Sequence, residues 1–97
     1  MQSNGSVANT RFTSRDGVLK DVKQIVAEQM GMSTGTISET SHLENDLGCD
    51  SLDRVEITME VEDHFGIDVS DEVAEEIRTI GDIVDGVIRL LESAGGR

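Results

Sequence analysis

Cys49 and Ser51, two side chains with nucleophilic atoms, lie two positions apart in the middle of this 97-residue chain. His42 and His64 are available as bases for a cysteine nucleophile, but no cysteine-hydrolase signature surrounds Cys49. We therefore interpret Cys49 as a half-buried packing residue, because a free cysteine commonly behaves as a small hydrophobe. Ser51 follows Asp50 at the predicted start of a helix. There its hydroxyl either caps the helix or points outward as a site for modification.

The residues around and after Ser51 are strongly acidic. Positions 50–76 hold eleven carboxylates and one cation, Arg54, whereas positions 1–30 hold four cations and three acids. Crowded carboxylates repel one another, so such a block is either a solvated surface or a surface kept for a basic partner. The net charge of −12 argues against a nucleic-acid partner. The acids between Asp63 and Glu76 lack the spacing and glycine of a calcium loop, and no metal site is predicted.

Length and composition indicate one small domain with a single core, which leaves little room for an elaborate active-site cleft. The single cysteine excludes an internal disulfide and agrees with a reducing compartment. No apolar stretch approaches the roughly 20 residues that span a bilayer. We expect a monomeric cytoplasmic protein that does not insert into membranes.

The first twelve residues are rich in Asn, Ser, Thr and Gly and lack the apolar segment of a secretory signal. We predict that residues 1–12 form a disordered extension, with a transit-sequence fragment or a leader as alternatives. The folded domain is predicted to span residues 13–94.

Apolar residues recur with a helical period from position 13 onward, and strand-like alternation is sustained nowhere. The first helix is predicted over residues 14–30, with Thr13 and Asp16 as a capping pair and Gly31 as its stop. Its apolar face comprises Val18, Leu19, Val22, Ile25, Val26 and Met30.

A long loop is predicted between the first two helices, over residues 31–50. Ile37, Leu43 and Leu47 are spaced as if they anchor it to the core. Ser41 and Glu44 have the spacing of a capping box, which predicts a single helical turn.

Three further helices follow. The second begins at Asp50 or Ser51 and ends near Phe65, with Gly66 as its stop. A short third helix is capped by Ser70 or Asp71, and Thr79 with Asp82 forms a capping box for the fourth. The apolar sides of the second helix are Leu52, Val55, Thr58, Met59 and Phe65; those of the fourth are Ile80, Ile83, Val84, Val87, Ile88 and Leu91. The predicted fold is an all-α, small four-helix bundle of three longer helices and one short one.

The residues around Ser51 resemble the phosphopantetheine attachment region of acyl carrier proteins. The resemblance rests on DLGCDSLD at positions 46–53, then Val55, Glu56 and Met59, then EDHFGI at positions 62–67. It extends to VKQIVAEQMG at positions 22–31, which is similar to the first helix of bacterial type II carriers, and to DEVAEEI at positions 71–77, which is similar to their third. A bundle of acyl-carrier-protein type is therefore expected.

The resemblance implies that the chain is a carrier and not an enzyme. A phosphopantetheinyl transferase would attach 4'-phosphopantetheine from coenzyme A to Ser51, with the help of a magnesium ion. Backbone N–H groups at the first turn of a helix favour the phosphodiester anion. The arm would hold acyl groups as thioesters and deliver them to enzymes of fatty acid or related lipid biosynthesis. The family also implies that the acyl chain enters the core, here near Leu52, Val55, Met59, Ile77 and Ile83.

Partner enzymes with basic patches are expected to recognise the surface that follows Ser51. The acids expected to contact their Lys and Arg residues are Asp50, Asp53, Glu56, Glu60, Glu62 and Asp63. Small apolar contacts are expected from Leu52, Val55, Met59 and Val69. Electrostatic pairing suits a carrier because it gives fast encounter and salt-sensitive affinity.

Several residues depart from the family pattern. Ser70 stands where many type II carriers have proline, Glu60 where a small apolar residue is common, and Thr58 where an aliphatic one is usual. The Phe65-Gly66-Ile67 run resembles carriers of specialised lipid or polyketide pathways, so such a dedicated carrier is an alternative. An alternative of another class is an unmodified acidic helical module that only binds a basic partner.

Overall fold

The computed structural model describes residues 14–95, which form four α-helices and one 3₁₀ turn. The helices are α1 (Arg15–Met30), α2 (Ser51–Phe65), α3 (Asp71–Glu76) and α4 (Ile80–Gly95), and the 3₁₀ turn spans Thr34–Thr36. Within this part of the chain there is no strand, only an isolated bridge between His42 and Thr79. The all-α prediction of three longer helices and one short one is confirmed. The predicted extension, residues 1–12, lies outside the described residues.

Helix α1 begins one residue later than its predicted capping pair implies. Its N-cap is Ser14, whose hydroxyl accepts a hydrogen bond from the N–H of Gly17 at 3.4 Å. The assignment of the cap to Thr13 was therefore wrong, because Ser14 holds the N-cap position. Gly31 ends the helix in the left-handed region at φ 67°, as predicted.

The other helix starts follow from local side-chain hydrogen bonds. Asp50 and Asp53 form a reciprocal capping box at the start of α2, with N···O distances of 2.8 and 3.1 Å. The predicted box of Thr79 and Asp82 opens α4, with both distances at 3.1 Å. Ser70 caps α3. Each of these bonds satisfies an N–H that the first turn of a helix would leave without a partner.

The loop between α1 and α2 is anchored by Ile37, Leu43 and Leu47, which are all buried as predicted. The predicted capping box of Ser41 and Glu44 is wrong. The hydroxyl of Ser41 turns back to accept from the N–H of Ser38 at 2.9 Å. The turn that does form is closed instead by the Asp46 carboxylate, which accepts from the N–H of His42 at 2.7 Å. Backbone bonds then tie the loop to the start of α4, including Leu43 N–H to the Arg78 carbonyl at 2.9 Å.

The core lies where α1 packs against α2 and α4. Helices α1 and α4 bury the centres of their predicted faces: Val18, Val22 and Val26, and Ile80, Ile83, Val84 and Val87. The outer members of these two faces are half-buried: Leu19, Ile25, Met30, Ile88 and Leu91. Asp21 is also buried in α1, which the sequence analysis did not anticipate.

Helix α2 has two apolar stripes, and only one of them faces the core. The buried stripe is Ile57, Val61 and Phe65, at i, i+4 and i+8. The predicted apolar residues Leu52, Val55 and Met59 are 67%, 54% and 57% exposed, so only Phe65 of the predicted large side chains packs inside. Both stripes have helical spacing, and the contact with α1 selects the one that is buried.

Candidate functional site

Ser51 occupies the first turn of α2, immediately after the N-cap residue Asp50. The side chain of Ser51 is exposed. The capping hydrogen bond is made by Asp50, whose carboxylate accepts from the N–H of Asp53. Ser51 is therefore not the cap of its own helix. Its hydroxyl remains accessible to a modifying enzyme on a rigid element.

A cleft of about 520 Å³ begins beside Ser51 and runs between α2 and the α3–α4 segment. Its lining follows α2 from Ser51 to Glu62 and continues from Val69 through α3 to Leu90 in α4. Four of the five residues predicted to lie along the acyl chain line this cleft: Val55, Met59, Ile77 and Ile83. Leu52 does not, because it points to solvent on the outer side of α2.

Two hydrogen-bonded tethers join α2 to the segment on the far side of the cleft. Arg54 donates from Nη2 to the carbonyl of Ile77 at 2.8 Å and to that of Ala74 at 3.3 Å. Glu62 accepts from the N–H of Val69 at 2.8 Å. Because α3 buries none of its residues, these polar contacts have a large part in holding it against α2.

The predicted recognition residues divide into two groups. Exposed side chains along α2 present acids beside the outer apolar stripe: Asp50, Glu56, Glu60 and Asp63, with Leu52, Val55 and Met59. Three others also have structural roles. Asp53 is half-buried in the capping box, Glu62 holds Val69, and Val69 is half-buried against the core.

Cys49 is buried, with its thiol directed at the sulfur of Met30 at 3.5 Å. Burial raises the pKa of the thiol, and the nearby carboxylate of Asp53 raises it further. The histidines are engaged elsewhere: His64 Nε2 lies 3.1 Å from Asp21 Oδ2, and His42 Nδ1 accepts N–H groups of its own turn. The site is therefore not a cysteine–histidine pair, and the packing interpretation of Cys49 agrees with its burial.

Two side-chain contacts of α2 were missed from the sequence, one beside Ser51 and one at the opposite end of the helix. One is the pairing of Asp21 with His64, and the other is the tether made by Arg54. A signal existed for Arg54, since it is the one cation among eleven acids over positions 50–76. No comparable signal existed for Asp21, which sits in the sequence among other charged residues of α1.

Residues 14–95 contain no group of three or more His, Cys, Asp or Glu side chains placed to hold a metal ion. Over the same residues, no helix is both long and apolar enough to cross a membrane.

The chain belongs to the family of phosphopantetheine attachment site domains, whose family model matches residues 20–87. Members of this family are non-catalytic carriers of a covalently attached 4'-phosphopantetheine group. The prediction of a carrier with this cofactor is thereby confirmed.

A solved structure supports the acyl carrier type of domain. The chain is similar to the apo doublet acyl carrier protein from prodigiosin biosynthesis, with 32% sequence identity and a TM-score of 0.68. The similarity covers 76% of this chain and 36% of the doublet protein, so the chain spans little more than a third of that relative. Family and structure together confirm an acyl carrier protein with the expected helical bundle.

Proposed function

We propose that Ser51 carries the 4'-phosphopantetheine arm and that residues 13–94 form the acyl carrier domain. The observation that supports this proposal is the position of Ser51, which is exposed at the start of α2 and lines the mouth of the cleft. A group attached there can extend into solvent toward an enzyme or fold back along the apolar lining. The residues present thus fit the prosthetic group that the family carries.

The attachment reaction requires only the hydroxyl from this chain. The Ser51 oxygen attacks the phosphorus of coenzyme A that bears the pantetheine, and the bond to the nucleotide phosphate breaks. The hydroxyl proton passes to a base of the transferase, and the nucleotide leaves as the bisphosphate. When bound, the arm supplies a terminal thiol on which acyl groups are held as thioesters.

The cleft would shelter the acyl chain while it travels between enzymes. Its apolar lining includes Ile57, Val61, Ile83 and Val87, which belong to the core, and Val55 and Met59 at its outer edge. Burying hydrocarbon against these side chains removes it from water, which stabilises the loaded carrier by about 0.8 kcal/mol per buried CH₂.

The exposed part of α2 would be the docking surface for the transferase and for acyl-synthesising and acyl-transferring enzymes. Leu52, Val55 and Met59 provide an apolar centre, and Glu56 with Glu60 provides charge for Lys and Arg patches. Rim charges of this kind accelerate encounter more than they strengthen the complex. The carrier would act as a monomer in the cytoplasm.

The cargo proposed first is an acyl intermediate of fatty acid or related lipid biosynthesis; the acidic Asp50–Asp53 surroundings of Ser51 favour a fatty acid or polyketide carrier over a peptidyl one. A carrier for a specialised pathway is the second candidate, favoured by the similarity to a carrier from prodigiosin biosynthesis. Mass spectrometry of the protein purified from its native host distinguishes them. A saturated fatty acyl series supports the first, and a single acyl or aminoacyl species absent from membrane lipids supports the second.

The attachment site is tested by incubation with coenzyme A, magnesium and a broad-specificity phosphopantetheinyl transferase. Intact mass is expected to rise by one phosphopantetheine unit in the wild type and in Ser93→Ala, an exposed-serine control on α4. It is expected to stay unchanged in Ser51→Ala. No rise in the wild type would overturn the proposal and favour the unmodified acidic module.

A further inference from the structure

Arg54 is the one cation among the charged residues from position 50 to position 76, and it lies one helical turn after Ser51. Residues three apart on a helix are neighbours on its surface, with Cβ atoms about 5–6 Å apart. Both side chains line the same cleft. The guanidinium is therefore a positive charge in the same cleft as a group attached at Ser51.

The hydrogen bonds of Arg54 use only part of its guanidinium. Both tether bonds, to the carbonyls of Ala74 and Ile77, leave from Nη2. Among the residues from 14 to 95, no protein acceptor is bonded to Nε or Nη1. These two atoms do not share a bidentate edge, because the Nε–H points away from Nη1, but each can donate a single charge-assisted hydrogen bond to a phosphate oxygen.

Without a positively charged donor nearby, a negative group attached at Ser51 would lie in an unfavourable electrostatic environment. Asp50 and Asp53 lie within one turn of Ser51, Glu56 lies five residues after it, and each repels an added anion. The partial positive charge of the helix N-terminus offsets part of this repulsion. However, not all N–H groups at this end of the helix are available, since the N–H of Asp53 already donates to the Asp50 carboxylate.

We propose that Arg54 is a positioning residue for the prosthetic group, which it binds by its phosphodiester while it continues to hold helix α3. This inference rests on the proposed attachment at Ser51. An N–H of Nε or Nη1 donates to a phosphodiester oxygen, and Nη2 stays on the carbonyls of Ala74 and Ile77. The side chain thereby becomes a bridge between the attached group and the far wall of the cleft.

The bridge makes modification of Ser51 and the closure of α3 mutually dependent. A guanidinium already held through Nη2 loses less freedom when a second nitrogen bonds the phosphodiester, so each bond strengthens the other. Modification therefore tightens the C-terminal end of α3 against α2. It also holds the first part of the arm at the cleft mouth, where an acyl chain can enter.

The test compares apo and modified protein by NMR and amide hydrogen exchange. Modification is expected to shift the ¹⁵N signals of the Arg54 guanidinium and to produce a scalar coupling between its nitrogen and the phosphorus. The amide of Ile77, which donates to the Ala74 carbonyl at 3.2 Å, is expected to exchange roughly fivefold more slowly, the factor that one net hydrogen bond supplies.

Variants separate the bridge from a general effect of modification. In Arg54→Gln and Arg54→Lys the slowing of Ile77 exchange on modification is expected to be lost, because neither side chain has the planar fork. The matched control is Arg89→Gln, an exposed cation on α4 that is expected to behave as the wild type. If a variant loses helix α3, the comparison of apo and modified wild-type protein still tests the bridge by itself.

The outcomes distinguish this inference from the proposed function. A wild type that gains the mass of the arm but shows neither the guanidinium shift nor slower Ile77 exchange overturns the bridge and leaves the attachment intact. A wild type that gains no mass overturns the attachment at Ser51.

Discussion

The imidazole of His64 lies with Nε2 3.1 Å from Oδ2 of Asp21, which joins the last turn of α2 to the middle of α1. Asp21 is buried, and the His64 ring also packs edge-on against Phe65, with ring centroids 4.7 Å apart. The pair thus fastens the end of α2 that lies opposite Ser51. It holds this end of the helix in place, and the other end carries the exposed Ser51.

We expect this pair to stabilise the fold. A double-mutant cycle with Asp21→Asn and His64→Ala should give a coupling energy of about 0.5–1.5 kcal/mol, measured by urea unfolding. The contribution of the separate contact between His64 and Phe65 cancels from this coupling energy. Additive effects of the two substitutions would contradict a direct interaction.

Cys49 should make the protein less stable at alkaline pH. Burial raises the pKa of this thiol in the folded state, so the folded protein retains a proton that the unfolded chain releases. Below about pH 8.5 both states are protonated and the thiol has no effect on the pH dependence. As the pH rises above that value, the free energy of unfolding should fall.

The measurement is urea unfolding of the wild type and Cys49→Ala from pH 7 to pH 10, together with iodoacetamide labelling at pH 8. The wild type should lose more stability than the variant over the alkaline range, and folded protein should label more slowly than protein in urea. Equal losses, or equally fast labelling, would show that the thiol is not protected by the fold.

Reversing a charge on the docking surface should slow acyl transfer more than it affects folding. Glu56 is the clean position, because it is exposed and its side chain makes no hydrogen bond or ion pair with residues 14–95, whereas Asp53 also belongs to the capping box of α2. Glu56→Lys should lower the low-salt transfer rate to a basic partner roughly threefold to tenfold, and the deficit should shrink at high salt. The free energy of unfolding should change by no more than about 0.5 kcal/mol.

Glu92→Lys provides the matched control, since it makes the same change in net charge on the exposed side of α4. Stopped-flow transfer assays and urea unfolding of both variants separate a local effect from one of total charge. Equal rates for the two variants at low salt would remove the docking role assigned to Glu56.

Two glycines should respond in opposite ways to alanine. Gly66 ends α2 at φ 68°, where a Cβ is disfavoured, so Gly66→Ala should lower the free energy of unfolding by about 1 kcal/mol. Gly86 lies inside α4, where an added Cβ would meet only Val73 Cγ1 at 3.8 Å, an ordinary contact distance. Gly86→Ala should therefore raise the free energy of unfolding by about 0.5–1 kcal/mol.

Thermal and urea unfolding of the two variants check these signs. Because Gly86 also lines the cleft, its alanine variant should be the more stable protein and the poorer host for a long acyl chain. Destabilisation by Gly86→Ala would mean that the contact with Val73 is tighter than the distance implies.

Local chemistry in the sequence predicted most of the helix ends and the position of the candidate serine. The caps at Asp50, Gly66 and the Thr79–Asp82 pair involve residues at most three positions from the end they close, so spacing alone predicts them. The Asp50-Ser51-Leu52 run likewise placed the candidate serine on the first turn of a helix. The Thr13 and Ser41 caps were misassigned because a neighbouring side chain competed for the same local role.

Tertiary packing alone decided which side of α2 is buried and what its polar residues bind. Leu52, Val55 and Met59 also have helical spacing, and only the position of α1 decides which of the two stripes is buried. Arg54 bonds carbonyls 20 and 23 residues away, and His64 meets Asp21 across 43 residues. Such contacts depend on how the helices are arranged in space, which the period of a single helix does not encode.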